Sequence, residues 1–432
     1  MTVAALLGVA PASAAPEAGT QLAAADLGWP EDTAAATART RAPVLDSAGR
    51  GKRIATVARG TRVTWRRIVA SRDGCKAWLE LEPRGWACAK DLAPTTDDAT
   101  TAATGTSAAT APRWADIRKD GADAFASIDD IKSGVVARRV DDKTYVVVKG
   151  KTKPVKLDGV TYVKTDQGWI ASRSLSWYSP STYAGIDVTP QTSFSIGWAV
   201  AKKPGAKIAV RSAPDPGAPK VRELAPRDLV TIAELSDDMA RIGPGEWVEA
   251  IELRKPARVA RPDGIGAAER WIDIDLDQQI LVAYEGDVAV FVTVISSGRV
   301  FWETPTGIYR ITGKEVKSRM QYQGNPDAAP DDERGREAWN VADVPFSMRF
   351  RKNFALHGTY WHEGFGRPRS HGCVNLSTTD AKRLFDWVSP TAPAGWSNLE
   401  ATGDGTPVRI HSRRDPDPIW RGYDGKPIDA QK

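Results

Sequence analysis

From Glu269 onward the apolar residues keep a period of two. Trp271-Ile272-Asp273-Ile274-Asp275-Leu276 alternates apolar and acidic side chains, as a half-buried strand does. Gln279-Ile280-Leu281-Val282-Ala283-Tyr284 follows after the short turn Asp277-Gln278, which predicts a hairpin. A third run, Val288 to Ile295, stops at Ser296-Ser297-Gly298, and Thr304 to Ile311, Pro345 to Phe350 and Gly405 to Ile410 extend the series. One amphipathic helix is predicted at Thr379 to Val388, with Ser377 as N-cap and Asp380 near the positive end of its dipole. Between Gly313 and Asp343 lies a polar stretch with Gly and Pro but little periodicity, a candidate lid or binding loop. Such a chain must bury strands against strands, so the expected fold class is mostly β.

The N-terminal half is also β-rich but cut into shorter pieces. Residues 1–14 end in Ala12-Ser13-Ala14 after an apolar stretch and read as a secretory signal lacking its basic start. Residues 15–40 are Ala/Thr-rich and read as a linker. Residues 41–94 carry short β runs punctuated by Gly, and residues 95–113 hold too few large apolar side chains to build a core, so a disordered tether is expected there. A weak repeat crosses that tether: Trp86, Trp169 and Trp247 are each followed six residues later by a leucine, Leu92, Leu175 and Leu253. Period two would put each Trp and its Leu on one face of a closing strand, with the indole in the core. Cys75 and Cys88 are close enough to form a disulfide, worth about 3 kcal/mol by loop closure, in an oxidising compartment. Net charge is +5 with a pI near 9.0, yet no segment concentrates it. That favours an anionic neighbour such as wall polymer or lipid headgroups and gives no basis for nucleic-acid binding.

Between His357 and Cys373 lie three of the four histidines and one of the three cysteines. A thiol attacks a carbonyl only as thiolate, so Cys373 needs a base, and His357 can supply it if the chain folds back. Ser370-His371-Gly372-Cys373 reads as a tight turn, with Gly372 allowing close backbone approach and the Gly372 and Cys373 N–H groups as oxyanion donors.

His357-Gly358-Thr359 followed by Ser370-His371-Gly372-Cys373-Val374-Asn375 resembles the signature of the L,D-transpeptidase (YkuD) catalytic domain. Ser297-Gly298, Thr304-Pro305-Thr306-Gly307-Ile308-Tyr309 and Pro345-Phe346-Ser347-Met348 are similar to further motifs of that family, in the same order. The resemblance spans residues 269–412 and leaves 413–432 as a tail. It implies a β-sandwich-like domain with a short helix and a lid, in which Cys373 is the nucleophile, His357 the base oriented by the Gly358 carbonyl, and His371 and Gly372 keep the catalytic turn. Gly358, Thr359, Ser370, Asn375 and Met348 would contact substrate; Asn375 stands where many members carry Arg. The implied partners are peptidoglycan stem peptides, an envelope protein as an alternative acyl acceptor, and carbapenem-type β-lactams as inhibitors. No cofactor and no metal are implied. Residues 41–94, 134–178 and 195–255 resemble bacterial SH3-like domains, where a Gly-Trp pair precedes the terminal strand. The expectation is an exported enzyme of the periplasm or cell envelope that transfers a tetrapeptide stem to an amine, for 3–3 cross-links or protein anchoring.

Four other readings compete. An L,D-carboxypeptidase would use the same acyl-enzyme with water as acceptor. A zinc site could use His357, His362, His371 and Cys373, but the spacing H-x4-H-x8-H-x-C fits no common structural pattern. A papain-like wall peptidase would place Cys before His, the reverse of this chain. A non-catalytic wall-binding protein would leave Cys373 an inert thiol.

Overall fold

The structure, a computed structural model, describes residues 18–95, 113–150, 152–236, 238–324, 332 and 337–429. The expected signal at 1–14 and nearly all of the expected tether at 95–113 lie outside the described residues. The chain divides into two compact units, Met1–Gly105 with Pro393–Asn398, and Thr106–Ala392 with Leu399–Lys432.

In the first unit, β1 (Ala35–Ala38) pairs antiparallel with β2 (Arg62–Val63) and β3 (Leu92–Thr95). Residues 15–40 are therefore not all linker: Ala35, Ala36 and Ala38 are buried, and the Ala-rich composition reflects tight packing between strands. Cys75 and Cys88 form a disulfide, packed with Trp78 and half-buried Trp86.

The second unit opens with β4 (Arg113–Ile117), the short helix α1 (Ile128–Ser133), β5 (Thr144–Val148) and β6 (Leu175–Tyr178). Strand β4 pairs with both β5 and β6, so this module begins at 113 and not at 134. A similar β module covers 196–254. In all three places the Trp and the Leu of the repeat sit on different strands, joined by a 3-10 turn at Ala89–Asp91, Ser172–Ser174 and Ala250–Glu252. Leu92, Leu175 and Leu253 are each only 1% exposed, whereas Trp86 stays half-buried, so the leucine is the constant anchor. The expected single closing strand is thus replaced by a strand–turn–strand unit.

Next comes β7 (Ile186–Asp187), followed by the C-terminal domain: β8 (Arg270–Asp275), β9 (Ile280–Glu285), β10 (Val288–Val294), β11 (Gly307–Arg310), β12 (Gly313–Tyr322), β13 (Trp339–Arg351), β14 (Phe354–Gly358), β15 (Val374–Leu376), α2 (Thr378–Trp387) and β16 (Pro407–His411). One sheet has the order β7-β10-β9-β8-β16-β11. Strands β12, β13, β14 and β15 pair successively in a second layer. Ile272, Ile274 and Leu281 of the first layer share one core with Phe350, Leu356 and Val374 of the second and with Leu384 of α2. Burial of these faces is the main drive for the arrangement.

Three local expectations change. Asp273 was to face water, yet it is 3% exposed, because its side of the sheet is covered by a second apolar cluster that includes Trp198 and Trp420. Its charge is met by Arg409 Nη1 at 2.6 Å and His411 Nε2 at 3.1 Å, as a buried carboxylate requires. Of the expected tail 413–432, the described residues 413–429 are not free: Trp420 is buried, and the Ile308 N–H donates to Ile419 O. Much of the polar stretch 313–343 is paired strand, β12 against β13, with residues 325–331 and 333–336 outside the described set. Its hydrophobic alternation is weak because polar side chains line a cleft.

The module at 113–178 is fixed to this hairpin. Strand β5 runs parallel to β13, with Thr144 opposite Asn340 and Tyr145 opposite Val341. Trp114 stacks on Tyr360 with ring centroids 4.8 Å apart, and Arg319 Nη2 lies 2.6 Å from Asp166.

Helix α2 is held at both ends. The Ser377 side chain accepts from Asp380 N, while Asp380 itself accepts from Thr293 Oγ1 at 2.6 Å and Gly185 N at 3.0 Å. At the other end Lys314, 1% exposed, donates to the carbonyls of Phe385, Val388 and Pro390. Burial pulls its pKa down to about 8, which still leaves it cationic at neutral pH beside the negative end of the helix dipole. Lys314→Met should remove these bonds while preserving bulk, at a cost of about 2–3 kcal/mol, read as a lower thermal midpoint of the C-terminal domain; an unchanged midpoint would refute the role.

Candidate active site

Strands β14 and β15 run parallel, with Leu356 opposite Val374, His357 opposite Asn375 and Gly358 opposite Leu376. Alternation sends Leu356, Val374 and Leu376 into the core and His357 and Asn375 the other way. Cys373 precedes the ladder by one residue and lies on the same side as Asn375. Thiol and imidazole thus project from neighbouring strands, two residues apart, or roughly 7 Å along the strand direction. Both open into a single cleft of about 1050 Å³.

Ring and thiol are both neutral at rest. His357 is 2% exposed, and burial holds its pKa down to about 4 against the opposing pull of the Gly358 carbonyl. Its Nδ1 lies 3.0 Å from Gly358 O. A carbonyl only accepts, so Nδ1 carries the proton and Nε2 keeps its lone pair for the cleft. Cys373 is half-exposed at its surface but densely surrounded by protein, and burial pushes its thiol up to about 11, partly offset by the Ala355 N–H. Its sulfur lies 3.9 Å from Asn353 O.

A small network shapes the turn that presents the sulfur. Ser370 Oγ accepts from Gly372 N at 3.0 Å and donates to Cys373 O. Thr304 Oγ1 accepts from Gly298 N and donates to Gly372 O, both at 2.8 Å. The Gly372 N–H is therefore already engaged, which corrects the expectation that it serves an oxyanion. What the position requires is glycine itself: φ is +110°, and a Cβ there would meet Phe354 Cε1 at 2.6 Å. Ser370 lines the cleft, but its hydroxyl is spent on this turn.

Three other expected substrate contacts move behind the site. Met348 is fully buried in the core, because alternation along β13 gives the cleft Ser347 and Arg349 instead. Gly358 is buried, where a Cβ would meet Pro345 and Ala381, and Thr359 is buried next to it. Asn375 does line the cleft, held by His362 at 3.0 Å. His362 Nδ1 accepts from Gly364 N, and its Nε2 meets the Asn375 amide Nδ2. His362 is thus a buttress of the cleft wall behind Asn375.

His371 is wedged between Trp302 and Trp339, at ring distances of 4.9 and 5.1 Å. Its Nε2 lies 3.1 Å from Glu337 Oε2 and 3.0 Å from Arg299 Nη2, and Arg299 also pairs with Glu337. Burial lowers the His371 pKa, and the Glu337 carboxylate opposes that. Sequence reasoning missed Glu337, Arg299, Trp302 and Trp339. Arg299 and Trp302 flank the Ser-Gly and Thr-Pro motifs and so had a signal; Glu337, in a polar stretch, had none. Among the described residues no three His, Cys, Asp or Glu side chains converge to hold a metal ion.

Residues 269–410 match the YkuD family, the L,D-transpeptidase catalytic domain. No curated protein matches the chain. Among solved structures, a mutant L,D-transpeptidase of Enterococcus faecium is 20% identical, covering 34% of this chain and 50% of its own, with a TM-score of 0.25. The chain thus spans half the length of that protein. An L,D-transpeptidase of Xylanimonas cellulosilytica is 26% identical, covering 35% and 64%, with a TM-score of 0.22. The catalytic domain of the E. faecium enzyme acylated by ertapenem is 22% identical, covering 34% and 99%, with a TM-score of 0.25.

The raised thiol and lowered imidazole have a measurable sign. Below its folded pKa the sulfur is protonated, so iodoacetamide alkylation of Cys373 should climb about tenfold per pH unit from about pH 6 to about pH 9. A preformed thiolate–imidazolium pair would instead give a flat profile over that range. Mass spectrometry of the Cys373 peptide distinguishes the two.

Proposed function

We propose, from the membership of residues 269–410 in the YkuD family of L,D-transpeptidase catalytic domains, that this chain is an exported peptidoglycan L,D-transpeptidase. The observation that carries the reading is the common face shared by Cys373 and His357 on two adjacent parallel strands, open to one cleft. The Cys75–Cys88 disulfide supports an oxidising, extracytoplasmic setting. The strand–turn–strand units of the N-terminal half fit SH3-like modules that keep the domain at the wall.

His357 Nε2 takes the proton of Cys373 as the sulfur attacks the carbonyl at the L-centre of diaminopimelate in a tetrapeptide stem. The oxyanion of the tetrahedral intermediate is met by the Cys373 N–H, since the Gly372 N–H is bound to Ser370. Collapse breaks the C–N bond to D-Ala, whose amine receives the proton from Nε2, and a thioester remains. An acceptor amine then gives its proton to Nε2 and attacks the thioester carbonyl. The sulfur leaves and is reprotonated, regenerating the neutral pair. Because the resting pair is neutral, proton transfer accompanies attack and does not precede it. Carbapenems enter the same scheme as acyl donors whose ring opens on Cys373.

The test incubates the protein and its Cys373→Ala and His357→Gln variants with disaccharide-tetrapeptide and follows products by mass spectrometry. The wild type should release D-Ala and form 3–3 dimers; Cys373→Ala should do neither, and His357→Gln should be slowed at least about a hundredfold. D-Ala release without dimers would replace the transferase by an L,D-carboxypeptidase. Unchanged substrate with folded wild type would end the enzymatic reading.

A further inference from the structure

Residues 269–410 do not enclose the cleft alone. Lys143, Tyr145 and Tyr178, all from the module at 113–178, line it together with Cys373 and His357. The pairing of β5 with β13 fixes this wall, and Val341, Val344 and Tyr360 form the apolar seam behind it. The Tyr145 ring lies 5.8 Å from that of Trp361, which in turn lies 5.8 Å from His357. Tyr145 and Tyr178 stack at 5.9 Å, and hydrogen bonds join their phenols to each other and that of Tyr178 to Asp116. The wall is therefore rigid and aromatic, on the side of the cleft where the base stands. Near Tyr145, Arg369 also lines the cleft; it is exposed and has no carboxylate partner among the described residues.

The base decides which substrate meets this wall. His357 Nε2 protonates the departing amine and later deprotonates the incoming one, so both amines occupy the same place beside the imidazole. We infer that Tyr145, Trp361 and Arg369 form the acceptor subsite, taking an extended peptide amine that carries a free carboxylate. The ring faces would hold the peptide's apolar stem and the Arg369 guanidinium its carboxylate. The module at 113–178 thereby selects what the thioester reacts with, a role that rests on the transpeptidase reading above.

The full chain is assayed with tetrapeptide donor at fixed concentration and a stem-peptide acceptor at varied concentration, scoring transfer against hydrolysis by mass spectrometry. Tyr145→Ala and Arg369→Gln should each raise the acceptor concentration for half-maximal transfer about tenfold and shift product toward the hydrolysed tripeptide. Lys156→Ala, on the exposed residue of Val155–Leu157 in the same module, should keep the wild-type ratio. Arg369 is exposed, so its replacement reads the subsite even if Tyr145→Ala loosens the module. Wild-type acceptor dependence in Arg369→Gln, or an equal loss in Lys156→Ala, overturns the subsite. A wild type that makes neither product overturns instead the transpeptidase reading itself.

Discussion

The site depends on the parallel pairing of Phe354–Gly358 with Val374–Leu376. Parallel neighbours cannot be joined by a tight hairpin, so the chain between them must leave the sheet and return. Residues 359–373 make that excursion, and its last four residues form the turn that presents Cys373. One register therefore sets two things together: Leu356, Val374 and Leu376 close the core, and His357, Asn375 and the sulfur face out on one side. A slip of one residue would exchange the two sets. The cost of misplacing three buried apolar side chains is what keeps the imidazole and the thiol on one face.

Around that register the polar groups are assigned with little redundancy. Thr304 ties Gly298 to Gly372, Ser370 closes the turn on itself, and Gly358 fixes the imidazole tautomer. None of these groups need touch substrate. They hold donors and acceptors in place, so that the thiol and the imidazole keep fixed positions in the cleft.

Much of this was legible in the sequence, for uneven reasons. The strands of the C-terminal domain were readable because one face of each is apolar, and the motif around Cys373 because thiol, imidazole and glycine occur together there. Met348 was misjudged because its motif gives its neighbourhood but not its side of the strand. Asp273 was misjudged because alternation cannot tell water from a second covering layer. Residues 35–38 looked like linker because alanine suits a tight strand contact as well as a tether. Glu337 was invisible, as its value comes from Arg299 and His371, distant in sequence and brought together only by the fold.

The shared sheet between Thr144–Val148 and Trp339–Arg351 limits how this architecture can be inherited. A chain beginning at residue 269 would leave the backbone of Asn340 and Val341 as an open strand edge and bare Tyr360 and Val344 to water. Open edges with apolar flanks invite pairing with other chains. The catalytic domain and the module before it are thus tied in descent: a recombination joint between them is penalised.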